Sequence, residues 1–198
     1  MKKIMLFGCL LLTACASLKT STEYIERGNG YLKDGKKQAA IDSFNKAIVL
    51  NPSNMDAYDA RGAAYFFNGQ YALAAADFER VLEDNPYRFS SYTAYASVLA
   101  AQGDFNNALQ VLNLVDKVGA AQPETYFARG GVHYMLGRYD LAVADYTRVL
   151  QSRRSADVLY ARANAYAKWG KVDLAEKDFQ AAQKENIPQY LNAYSELK

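Results

Sequence analysis

The chain is poor in the side chains that most often do chemistry. Its 198 residues include two cysteines, Cys9 and Cys15, and a single histidine, His133. With at most one thiol left after removal of a leader, no intrachain disulfide forms, and stability has to come from packing. Charge of either sign is not in excess. The formal net charge is +2, and setting aside Lys2 and Lys3 leaves 21 Lys+Arg against 21 Asp+Glu. Such a balance lacks the basic footprint of a general nucleic-acid binder and excludes that class of partner. The apolar run from Ile4 to Leu12 is far short of the roughly 18–20 residues that cross a bilayer. What is abundant is apolar surface: 51% of residues are hydrophobic, enough for a sizeable core in one domain or a short repeat array.

The opening stretch MKKIMLFGCLLLTACAS joins a basic start to a short apolar run and small residues, the layout of an export signal. Leu12-Thr13-Ala14-Cys15 resembles the bacterial lipobox, whose cysteine is acylated and becomes the mature N-terminus. Cys9 is preceded by too short an apolar segment for the same reading. Ala14-Cys15-Ala16 also fits an ordinary A-x-A cleavage site, but Leu, Ala and Cys all occupy lipobox places. The expectation is a lipoprotein signal peptide over residues 1–14, lipid attachment (palmitate) at Cys15, and a linker through residue 22. Ala16 in place of aspartate implies, by resemblance to Gram-negative lipoproteins, an outer-membrane site facing the periplasm.

The rest of the chain is periodic. Gly35, Gly69, Gly103, Gly137 and Gly170 are separated by 34, 34, 34 and 33 residues, a solenoid period. Five places after each glycine stands an alanine: Ala40, Ala74, Ala108, Ala142 and Ala175. Nine after it come Phe44, Phe78, Leu112, Tyr146 and Phe179, and seven before it Gly28, Gly62, Ala96, Gly130 and Ala163. Each repeat reads as two amphipathic helices with a glycine between them, small residues marking close backbone approach and rings filling the space beside them. Pro52 and Pro86 close the first two repeats.

This order of small residue, aromatic, glycine, alanine and aromatic resembles the tetratricopeptide repeat family. The resemblance implies an all-α chain, an α-solenoid of five repeats at about 21–54, 55–88, 89–122, 123–155 and 156–188. Residues 23–188 form its domain. Residues 189–198, with Tyr190, Leu191, Tyr194 and Leu197 at helical spacing, are read as a capping helix, with a homodimer contact as the rival.

The stretch ARGGVHYMLGRYDLAVADY, residues 128–146, sets His133 between Arg129 and Asp145 and looks like a catalytic group. Periodicity explains it otherwise. His133 fills the place held by Tyr31, Tyr65, Leu99 and Tyr166, so it reads as a packed ring. Arg61, Arg129 and Arg162 lie eight places before a glycine, and Asp77, Asp145 and Asp178 eight after one. Repeat three loses both at once, having Tyr95 and Val111. These are expected to be ion pairs within repeats, since a buried guanidinium needs a partner. An enzyme would need a nucleophile, metal cluster or carboxylate pair outside the repeated places, and none is found. No cofactor or metal is implied.

Function then rests on the first-helix face turned away from the core stripe, which in tetratricopeptide arrays lines a concave peptide groove. Phe66, Phe67, Phe127, Tyr134, Met135 and Tyr160 are its candidate binding residues, around a small polar floor of Ser90, Thr93 and Ser97. Asp56, Asp59, Glu124 and Asp157 would form an acidic rim selecting a basic residue beside apolar anchors. A Lys/Asn carboxylate clamp is incomplete, with Asn29 and Lys33 followed by Asp59 and Ala63. The expected function is that of an envelope adaptor or scaffold for a protein partner, resembling lipoproteins of the NlpI type, which scaffold peptidoglycan hydrolases and proteases. Pilus or secretin assembly is the alternative, and a small-ligand carrier a more distant one.

Overall fold

A computed structural model describes residues 20–184, so Cys15 and the 189–198 segment lie outside the described residues. Two compact units divide at Gln70 and Tyr71. The first holds α1 (Ser21–Lys33), α2 (Lys37–Leu50) and α3 (Met55–Phe67). The second holds α4 (Tyr71–Asp84), α5 (Phe89–Ala101), α6 (Phe105–Lys117), α7 (Pro123–Met135), α8 (Tyr139–Ser152), α9 (Ala156–Lys168) and α10 (Val172–Gln183). The described residues are all-α, ten helices in sequence that fall into five helix-turn-helix repeats with the odd-numbered helix first in each.

Local chemistry sets the helix ends. Thr20 caps α1 through a capping box: its hydroxyl accepts from Glu23 N at 3.2 Å while Glu23 accepts from Thr20 N at 2.7 Å. The helix thus begins inside the stretch expected to be linker. Within each repeat the turn is of one kind. Gly137, for example, has φ +71°, and the next amide, Arg138 N, donates back to His133 O at 2.9 Å. That left-handed closing turn satisfies the last carbonyls of α7, and glycine adopts it without a Cβ clash.

Small residues bring paired helices together. A Cβ on Gly130 would stand 2.7 Å from Tyr146 Cε1, and one on Gly28 would collide with the Phe44 ring. In the first unit Ala40, Ile41, Phe44 and Ala64 form a buried cluster. In the second, Ala96, Leu99, Leu109, Leu112 and Val132 form one, and Ala142, Tyr146, Val149 and Val158 another.

The repeated ion pairs are present in the second unit. Arg129 Nε and Nη2 each donate to Asp145 at 2.8 Å, and Arg162 grips Asp178 the same way at 2.7 and 2.9 Å. Arg129 also donates to Asp116 Oδ2 at 2.8 Å. Burial pushes Asp116 upward, but the bonds from Arg129 and Tyr126 outweigh it and hold the carboxyl below its usual range.

Candidate binding site between α5 and α7

His133 is buried, and its Nδ1 has no hydrogen-bond partner. Desolvation lowers its pKa, with Asp145 and Asp140 opposing and Arg129 and Arg138 reinforcing that shift. A neutral ring in the α7–α8 core is poorly placed for proton transfer to a ligand. Among the described residues no group of His, Cys, Asp and Glu could hold a metal ion.

The second unit instead carries a pocket of about 750 Å³ between α5 and α7. Phe89, Ala94, Phe127 and Ala128 give it apolar walls, Ser90, Thr93, Ser97 and Thr125 line its floor, and Ala120, Gln122, Glu124 and Arg153 edge it. The floor was expected to be polar, and the hydrogen bonds correct this. Ser97 Oγ donates to Thr93 O at 3.0 Å. Thr93 Oγ1 lies 3.4 Å from Phe89 O and 3.0 Å from Thr125 Oγ1, which in turn accepts from Gln122 N at 3.3 Å. The arrangement that satisfies every group runs Gln122 N–H to Thr125, Thr125 to Thr93, and Thr93 to Phe89 O. With these three hydroxyls turned onto backbone and one another, Thr93, Ser97 and Thr125 offer the pocket mainly methyl and methylene groups, and Ser90 keeps its hydroxyl at the exposed start of α5.

The acidic rim is also modified. Glu124 Oε1 is 3.1 Å from Arg153 Nη2, with both side chains more than half exposed. At this edge the mouth therefore presents a neutral pair, which removes the reason to expect selection for a basic residue by Glu124.

The six candidate residues differ in their surroundings. Phe127 alone of the six lines the pocket; it is 39% exposed and its ring leans on Tyr146 at 5.7 Å. Tyr134 and Tyr160 are half-buried, packed edge-on against Tyr139 at 5.6 Å and Phe179 at 5.4 Å. Met135 is 65% exposed and does not line the pocket. Phe66 and Phe67 belong to the first unit, edge to face at 5.6 Å, Phe66 half-buried and Phe67 exposed.

Phe89, Ala120, Gln122 and Arg153 had no place in a reading of first-helix faces. Phe89 opens α5, Ala120 and Gln122 belong to the loop before α7, and Arg153 follows α8. One signal for the loop was legible. Gly119 has φ +73°, and Ala120 N donates to Val115 O at 3.1 Å, so a left-handed turn replaces the proline that ends earlier repeats.

Comparison with known proteins accords with this architecture. The TPR repeat model matches residues 28–69, and the tetratricopeptide repeat model matches 60–124, 96–157 and 127–190. No curated protein matches the sequence significantly. Among solved structures, TTC0263, a thermophilic TPR protein of Thermus thermophilus, is 19% identical with a TM-score of 0.81, covering 90% of this chain and 98% of its own. A tetratricopeptide repeat protein from Parabacteroides merdae is 21% identical with a TM-score of 0.77, over 94% and 72%. Pseudomonas aeruginosa PilF is 20% identical with a TM-score of 0.71, over 83% and 75%. At these identities the likeness is one of fold. With the repeat models running from residue 28 to 190, the chain belongs to the tetratricopeptide repeat family.

Proposed function

We propose that the chain is a lipid-anchored envelope adaptor that holds a protein partner by apolar side chains inserted between α5 and α7. The observation that carries this reading is the pocket of about 750 Å³ in which the hydroxyls of Thr93, Ser97 and Thr125 are already bonded within the protein. A polar ligand finds few unpaired groups there, whereas each large apolar side chain that fills it gains about 1.5–3 kcal/mol. The tether supports the envelope setting. From Cys15 to the cap at Thr20, an extended chain at about 3.3–3.6 Å per residue reaches less than about 20 Å, which would keep the repeats beside the membrane. Peptidoglycan-remodelling or envelope-assembly machinery is the class of partner that such a short tether favours, and service in pilus or secretin assembly is the alternative on the same surface. A small-ligand carrier is a second reading, favoured by a volume inside the usual range for ligand pockets, about 300–1,000 Å³.

The test places a photo-crosslinking amino acid at exposed Ser90 in cells, with and without Ala94→Trp to fill the pocket. A protein adduct that disappears with Ala94→Trp, at unchanged helicity, supports the adaptor. An adduct indifferent to the filled pocket overturns it. A small-molecule adduct in place of a protein one selects the carrier.

A further inference from the structure

Each repeat meets the one before it through the same kind of hydrogen bond. The residue eight places before a turn glycine donates to the residue ten places after the preceding one. Arg61 Nη1 reaches Asn45 Oδ1 at 2.7 Å, and Tyr95 Oη reaches Glu79 Oε1 at 2.7 Å. Arg129 Nη1 reaches Asn113 Oδ1 at 3.0 Å, and Arg162 Nη1 reaches Thr147 Oγ1 at 3.0 Å. The side chains vary, while the polarity is kept: donor on the later repeat, acceptor on the earlier. At one junction a second bond runs in the same direction, from Tyr126 Oη to Asp116 Oδ1 at 2.9 Å.

Among the described residues, the two outer members of this series have no adjoining repeat. Arg27 holds the donor place of repeat one, on exposed α1 surface. Its guanidinium lies over Tyr31 at 5.6 Å, as Arg61 lies over Tyr65 at 5.5 Å and Arg162 over Tyr166 at 5.7 Å. Its Nε and Nη2 bond Tyr31 Oη at 3.2 and 3.1 Å. No acceptor among the described residues meets Nη1, the atom that crosses the junction in repeats two, four and five. Gln180 holds the acceptor place of repeat five, exposed on α10. Its Nε2 donates to Glu176 at 3.3 Å, and no donor among the described residues meets its Oε1. Tyr24 and Gln183 hold the places of Tyr126 and Asp116.

We propose that a second copy of this chain docks head to tail, the α1 face of one on the α10 face of the next, with Arg27 donating to the neighbour's Gln180. Charge agrees with this pairing. Where repeats one to four carry Ile41, Ala75, Leu109 and Val143, the last carries Glu176, which sets an acid opposite Arg27. The same polar substitution keeps the contact reversible, since less apolar area is buried than at an internal junction. Because unlike faces meet, such association runs on to open chains or closes as a ring; it does not stop at a two-fold dimer.

Sedimentation of the full chain carrying Cys15→Ser, over a concentration series, tests this. The average mass is expected to rise with concentration beyond that of a dimer. Arg27→Glu and Gln180→Arg should each weaken association about tenfold or more, since each places like or unpaired charge at the contact. The double variant should recover it, because the two reversals face each other. Both side chains are exposed, so circular dichroism should be unchanged. A monomer at every concentration, as when residues 189–198 of the same chain cover α10, overturns the proposal. So does association indifferent to the single reversals.

Discussion

Arg129 and Asp145 lie between α7 and α8, each less than a tenth exposed, and burial is tolerated because every guanidinium nitrogen has an acceptor. Asp145→Ala would leave a buried cation half answered, and a loss of about 3–5 kcal/mol is expected in denaturant unfolding. Repeat three already shows the compatible replacement, with Tyr95 and Val111 packed on the same apolar cluster. Arg129→Tyr combined with Asp145→Val should therefore regain most of that loss, which a catalytic pair would not do for activity. His133 makes a separate expectation. Its folded-state pKa lies below the ordinary value, so between the two values the unfolded chain binds more protons. The stability that the neutral ring contributes is complete above about pH 6.5 and is lost as pH falls toward the depressed value. His133→Tyr, which copies repeats one, two and five, should flatten that part of the acid limb when unfolding midpoints at pH 7.5 and 5.5 are compared.

At the scale of elements, the joint between α6 and α7 decides the shape of the pocket. Gly119 ends α6 in the left-handed region, and the loop that follows supplies Ala120 and Gln122 to the mouth. Space for a Cβ exists there, so Gly119→Ala should cost only the backbone term, about 1–2 kcal/mol, with helicity retained. Its signature would be a loss of crosslinking at Ser90 larger than that small destabilisation explains. Phe127 and Met135 differ in the same way. Both are exposed on α7, but only Phe127 faces the pocket, so Phe127→Ala should weaken partner binding by about 1–4 kcal/mol and Met135→Ala should leave it unchanged in the same crosslinking assay.

For the whole molecule, the lipid proposal and the repeat scaffold are separable. Cys15→Ser should abolish incorporation of a fatty-acid analogue and release the chain from the membrane fraction while the thermal midpoint stays where it was. Equal labelling of variant and parent would end the lipoprotein reading and leave the repeat fold untouched.

Much of this was legible in the residues because repetition reports its own constraints. A glycine every 33 or 34 places marks a left-handed turn, and a small residue seven before it marks where a ring must fit, as Gly130 and Tyr146 show. Arginine and aspartate lost together in repeat three announced a pair before any distance was known. The pocket was not legible in that way. Its apolar floor depends on which way Thr93, Ser97 and Thr125 turn their hydroxyls, and its mouth on an arginine, Arg153, brought beside Glu124 from 29 residues away along the chain. Residue type states what a side chain can bond, and periodicity states which face it occupies. Which bond is made depends on the neighbour that packing supplies, and only the tertiary structure decides that.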